Sequence, residues 1–173
     1  MLVPILDALD YLHTLNPPII HRDIKPQNVR ITPRGKVCLV DFGIAKIGAP
    51  SVRTETLARA VTSGFSPFEQ YSGGSTDARS DLYSLGATLY FMLSGVTPPD
   101  AQQRVRVDPL TPLHTLNDSI SPTLEAVIAR MMAVWPDDRF ADIAAIRQAL
   151  QSGLPIAPGP QPAEPPQPPI LTN

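Results

Sequence analysis

The stretch HRDIKPQNV, His21 to Val29, places an acid, a lysine and an asparagine within six residues, at Asp23, Lys25 and Asn28. Apolar segments flank it. Such a mixture suits a solvated loop or a site. A second acid, Asp41, lies 13 positions beyond Asn28, just ahead of Phe42 and Gly43. A carboxylate beside an amide oxygen suits a hard cation such as Mg²⁺, which takes one or two protein oxygens and completes its shell with phosphate oxygens and water. Asp23, five residues before Asn28, is a candidate to receive a proton from a hydroxyl nucleophile. Lys25 could balance phosphate charge. Phe42 supplies an apolar anchor and Gly43 a flexible joint. An acid, a lysine, an asparagine and a second acid together fit phosphoryl transfer, in which positioning and charge neutralisation supply most of the catalysis.

These groups need elements to hold them. Val29 to Thr32 and Lys36 to Val40 read as two short strands joined by turn chemistry at Pro33-Arg34-Gly35. That hairpin makes Asn28 and Asp41 spatial neighbours at its open end. Ahead of it, Leu2, Ile5, Leu6, Leu9, Leu12 and Leu15 recur at helical spacing. Pro4 is tolerable because it falls in the first turn. Ile44 to Tyr71 has no sustained period and reads as one long loop, a length that is usually functional. Asp77 to Ser94 reads as a strong helix stopped by Gly95 and Pro98-Pro99. Pro122 to Val134 and Asp142 to Leu150 read as two more helices.

Composition narrows the class. The 173 residues suffice for one domain, 43% are hydrophobic, and the net charge of -2 leaves no basic footprint for nucleic acid. The one cysteine, Cys38, excludes a disulfide framework and a cysteine-rich zinc site, and points to an intracellular compartment. It reads as a small core residue in a strand. No apolar run is long enough to span a membrane, and MLVPILDALDYLH lacks the basic n-region of a signal peptide. Eight of the 21 prolines follow Gly153, so 152–173 reads as a proline-rich disordered tail or linker beyond a domain at 1–151. His13 and His114 have no evident ligands nearby and read as structural or exposed. Trp135 reads as packing.

HRDIKPQN followed by DFG resembles the catalytic and metal-binding loops of eukaryotic-type protein kinases. SPFEQ (66–70) resembles the A-P-E segment of that family, DARSDLYSLGATLY (77–90) its central helix, and PDDRF (136–140) its late arginine motif. The ordered match runs from Met1 to about Leu150. The resemblance implies a mainly α fold with a short β-hairpin, that of the kinase C-terminal lobe. It implies ATP-dependent phosphorylation of protein serine or threonine hydroxyls, with Mg²⁺ or Mn²⁺. Lys25 after Asp23-Ile24 resembles the serine/threonine branch, and so does Thr62. The Pro-Phe-Glu-Gln-Tyr ending resembles bacterial members.

Residue by residue, the resemblance implies that Asp23 is the catalytic base, Lys25 contacts the transferring phosphate, and Asn28 and Asp41 hold the metal. His21 and Phe42 would pack in the hydrophobic spine, with Gly43 closing the DFG loop. Arg22 would pair with a phosphorylated loop residue. Ser51, Thr54 and Thr56, beside Arg53 and Arg59, are candidates for that modification and equally read as plain loop residues. Thr62 would bond to Asp23 and Lys25, Glu69 would form a buried pair with Arg139, and Asp81 would accept backbone N–H groups from the catalytic loop.

The sequence departs from the family in places. No G-x-G-x-x-G, strand lysine or helix glutamate for the nucleotide precedes His21. The expectation is a C-terminal lobe without its N-terminal partner, weakly active or inactive alone, with Met1 either internal to a longer protein or the start of a truncated gene. A non-catalytic fragment or partner-binding module is the other reading. Ser66 and Phe68 replace the usual alanine and proline, and Arg30 sits where many members place a leucine beneath adenine. The expected location is cytoplasmic, with a full-length parent that could be anchored in a membrane beyond the tail.

Overall fold

The computed structural model describes residues 2–41, 46–47 and 61–153. In chain order they form α1 (Leu2–Thr14), β1 (Ile19–Ile20), a 3-10 turn (Pro26–Asn28), β2 (Val29–Ile31), β3 (Val37–Leu39) and β4 (Lys46–Ile47). Then come α2 (Phe68–Ser72), α3 (Ala78–Ser94), α4 (Leu113–Leu116), α5 (Pro122–Met131), a 3-10 turn (Pro136–Asp138) and α6 (Ile143–Ser152). The domain is helix-rich with little sheet.

Helix α3 is the axis. Every residue from Ser80 to Tyr90 is buried, so no polar stripe faces water. Its entry is fixed by a capping box: Asp77 accepts from the Arg79 amide at 2.8 Å, and the Asp77 amide donates to Ser80 Oγ at 3.3 Å. Ile5, Leu6 and Leu9 of α1, Val127, Ile128 and Met131 of α5, and Ile143 and Ile146 of α6 join Leu82, Leu85 and Leu89 in one core. Full burial of each such side chain is worth about 1.5–3 kcal/mol. Gly86 permits the tightest of these contacts. A Cβ there would lie 2.9 Å from Met131 Cβ and 2.9 Å from Met132 Cγ, so α5 rests on bare backbone.

The expected hairpin forms, with Val29 opposite Leu39, Arg30 opposite Cys38 and Ile31 opposite Val37. Its turn closes through Gly35 N–H to Thr32 O and Thr32 N–H to Lys36 O, both 2.8 Å. Cys38 is half-buried and free. The single long loop expected over Ile44 to Tyr71 requires correction. Lys46–Ile47 pairs antiparallel with Ile19–Ile20, and Phe68–Ser72 is helical. Two-residue strands and a five-residue helix are too short to show a period. The α5 helix ends at Met131, three residues before the expected Val134, and α6 runs to Ser152. Among the described residues no helix is long and apolar enough to cross a membrane.

Candidate active site

The HRDIKPQN segment hangs from α3. Asp81, fully buried in the first turn of that helix, accepts the His21 amide on Oδ2 and the Arg22 amide on Oδ1, each at 2.8 Å. Arg22 sits at φ 69°, in the left-handed region that a bulky residue rarely adopts, and its bond to Asp81 helps to hold it there. His13 adds a third contact from α1, Nε2 to Asp81 Oδ2 at 2.8 Å. His13 thus has the structural role expected of it, and His114 is exposed as expected, each with a carboxylate partner that the sequence did not name. His114 Nδ1 meets Glu125 Oε1 at 2.9 Å. Both partnerships are long-range or cross-helix, so no local spacing announces them.

Asp23 is the focus of the segment. Asn28 Nδ2 donates to Asp23 Oδ2 at 2.9 Å and to the Asp23 carbonyl at 2.8 Å. Lys25 Nζ lies 2.8 Å from Asp23 Oδ2. Thr62, 39 residues away, donates its hydroxyl to Asp23 Oδ1 at 3.1 Å and accepts from Lys25 Nζ at 3.4 Å. Three candidate residues, Asn28, Lys25 and Thr62, thus converge on the Asp23 carboxylate. Buried His21 turns its Nδ1 towards the Asp23 amide, which donates at 3.3 Å. Burial holds its imidazole below the usual histidine range, against the opposing charges of Asp81, Asp23 and Asp41.

With Asn28 Nδ2 engaged by Asp23, the Asn28 oxygen is the amide atom left to face a cation. The hairpin carries Asp41 to the same end, since the Val40 amide donates to the Asn28 carbonyl at 2.9 Å. Asp41 is exposed and adopts φ 65°, a left-handed conformation uncommon outside glycine and found at functional sites. An amide oxygen and a carboxylate form a hard-oxygen donor set, which fits Mg²⁺ or Mn²⁺ shared with phosphate. Among the described residues no three His, Cys, Asp or Glu side chains cluster into a metal cage. Arg30 is exposed on β2.

The elements that follow Thr62 are equally fixed. Glu69 and Arg139 form a bidentate buried pair, NH1 to Oε1 at 2.7 Å and NH2 to Oε2 at 3.0 Å. Ser80 Oγ also donates to Glu69 Oε1, at 2.7 Å. Arg139 donates further to the carbonyls of Ala133, Val134 and Arg79, and stacks 4.9 Å over the Tyr83 ring. Phe68, where the family pattern has proline, meets Trp135 edge-on at 5.1 Å. The Arg22 guanidinium contacts Thr76 Oγ1, and Gln70 Nε2 donates to the Arg22 carbonyl at 2.8 Å. Phe42, Gly43, Ser51, Thr54 and Thr56 lie outside the described residues. Residues the sequence did not single out are Gln70, Ser80 and, most of all, Asp100. Asp100 accepts from Gly64 N–H at 2.6 Å, Ser63 Oγ at 3.1 Å and Tyr71 OH at 2.8 Å. A polar residue after Pro98-Pro99 carries no local signal for that role.

Known proteins resemble this chain in sequence and in fold. The family model of the protein kinase domain matches residues 1–153. A probable serine/threonine-protein kinase of Streptomyces coelicolor is 38% identical over 164 residues, covering 89% of this chain and 24% of that protein. The serine/threonine-protein kinase PknB of Mycobacterium leprae is 40% identical over 151 residues, covering 83% of this chain and 24% of that protein. The chain therefore spans about a quarter of the length of these curated relatives. Among solved structures, the PpkA-294 apo form superposes with a TM-score of 0.72 at 29% identity, covering 87% of this chain and 52% of that one. The Mycobacterium tuberculosis PknI kinase domain gives a TM-score of 0.62 at 27% identity, with the same coverage of 87% and 52%. The chain belongs to the protein kinase domain family.

Proposed function

We propose that this chain carries the phosphoryl-acceptor side of a serine/threonine protein kinase active site, in which Asp23 orients the hydroxyl of a protein substrate and receives its proton. The observation that carries this reading is the convergence of Asn28, Lys25 and Thr62 on the Asp23 carboxylate. A carboxylate held by three side chains from separate positions is pre-oriented towards a hydroxyl, and little reorganisation is needed when the hydroxyl arrives. Lys25, 24% exposed, is placed to meet a negatively charged group transferred towards Asp23. Asn28 and Asp41 would hold Mg²⁺ or Mn²⁺ from ATP, and that ion when bound would neutralise phosphate charge. Glu69, Arg139 and Asp81 position these groups without touching substrate. Arg22 and the candidate phosphosites Ser51, Thr54 and Thr56 would supply the ordering switch.

The test is phosphate transfer from Mg·ATP to serine- and threonine-containing peptides by the full-length gene product, beside its Asp23→Asn variant. Transfer should drop by about 10²-fold or more when the base is removed. Equal incorporation by both proteins would refute the assignment of Asp23.

A further inference from the structure

Segment 62–66 decides where Thr62 sits, and therefore how Asp23 is held. It is a closed turn: the Thr62 carbonyl accepts from the Phe65 and Ser66 amides, both at 3.0 Å, and the Thr62 amide donates to Ser66 Oγ at 2.9 Å. A unit tied so tightly moves as one piece. What grips it from outside is the segment after α3. Gly64, at φ 79°, presses its backbone on that segment, and a Cβ there would lie 2.6 Å from Thr97 Cγ2 and 2.8 Å from Pro98 O. Beside this contact, Asp100 Oδ1 takes the Gly64 amide at 2.6 Å and the Tyr71 hydroxyl at 2.8 Å, while Ser63 Oγ reaches Oδ1 at 3.1 Å and Oδ2 at 3.2 Å. One carboxylate therefore ties together the Thr62 turn, the α2 helix and the 97–100 segment.

We propose that Asp100 is a positioning residue for the substrate side of the active site, anchoring the 62–66 turn so that Thr62 stays on Asp23. The catalytic part of this inference rests on the kinase reading, and the anchoring part does not. The ionised form is the one that fits. Burial opposes ionisation of Asp100, yet the Gly64, Tyr71 and Ser63 donors outweigh it and hold the carboxyl below the usual range. Charge-assisted bonds of this kind are about twice as strong as neutral ones. Asp100 bonds to Ser63, Gly64 and Tyr71 and not to Asp23, Lys25, Asn28 or Thr62, so its influence on them travels through the turn.

The experiment pairs amide hydrogen exchange with steady-state kinetics on the full-length gene product. Asp100→Ala should speed exchange of the Gly64 amide. It should lower kcat/KM for an acceptor peptide by about 10-fold or more, since small misplacements of positioning groups cost up to 10²-fold. The KM for ATP should stay unchanged. Asp100→Asn can place its amide oxygen where Oδ1 accepts from Gly64 and Tyr71 but lacks the charge, and should restore part of both readouts. Tyr71→Phe keeps the ring, removes one donor, and should shift both in the same direction by less. Wild-type exchange at Gly64 in Asp100→Ala would overturn the anchor. So would an Asp100→Asn variant as impaired as Asp100→Ala, or an equal rise in the KM for ATP. A wild-type protein that phosphorylates nothing would count against the kinase reading alone, and exchange at Gly64 would still decide the anchor.

Discussion

Replacing Arg139 with methionine isolates the pair that ties the α2 segment to the rest of the fold. The arginine side chain is fully buried and makes five hydrogen bonds, two to Glu69 and one each to Ala133, Val134 and Arg79 carbonyls. Methionine keeps the aliphatic stem and much of the contact with Tyr83, so the loss is chiefly polar. Glu69, whose side chain is 9% exposed, would keep only the Ser80 hydroxyl as a described side-chain donor. Removing one partner of a buried pair costs about 3–5 kcal/mol, most of it the penalty of the stranded charge. Loss of the cation–π contact with Tyr83 places the value near the upper end of that range. With a urea m-value of about 2 kcal/mol/M, the unfolding midpoint should fall by about 1.5–2.5 M. The internal control is Asp7→Asn, which breaks the exposed pair with Arg147 and should cost under about 1 kcal/mol. The double variant Glu69→Leu/Arg139→Met should be less destabilised than Arg139→Met alone, because no charge is left behind. A midpoint for Arg139→Met matching that of Asp7→Asn would show that Glu69 is not buried as described, and the reasoning would fail.

Two further outcomes follow from the core and from charge. Gly86→Val should destabilise the fold by about 2–3 kcal/mol, measured in the same urea titration, since the new side chain must enter space held by Met131 and Met132; a neutral result would mean that α3 and α5 can part. Asp108 grips buried Arg104 with two bonds, at 2.7 and 2.8 Å. Burial opposes its ionisation, but Arg104 outweighs burial and holds the carboxyl below the usual range. The stabilisation is thus complete above the unfolded-state value of about 4 and is lost as pH falls through the lower folded-state value. Thermal unfolding between pH 6 and 2 should show an acid slope that Asp108→Asn reduces, and an equal slope in both proteins would contradict the assignment.

What the sequence discloses depends on the range of the interaction. The hairpin around Pro33 to Gly35 and the long helix after Asp77 announce themselves because turn chemistry, capping and periodicity act within a few residues. The convergence of Thr62 on Asp23 and of Arg139 on Glu69 was foreseeable only through the family pattern, since 39 and 70 residues separate the partners. The β1–β4 pairing and the short α2 and α4 helices were missed because two to five residues hold no period. The partner of His13 and the task of Asp100 were missed for a different reason. Each residue is an ordinary polar one in its local context, and only tertiary packing brings the groups that give it a task.

The attachment of the HRDIKPQN segment to Asp81 has a consequence for portability. The eight residues do not constitute a module. Their opening backbone, with Arg22 turned into the left-handed region, is held by a carboxylate 59 residues downstream that His13 contacts in turn. Copied onto another scaffold without an acidic side chain fixed at that depth, the same letters would relax into an ordinary loop. The unit that any transplantation or shuffling of this chemistry must carry is therefore the loop together with the first turns of α3 and the last turn of α1.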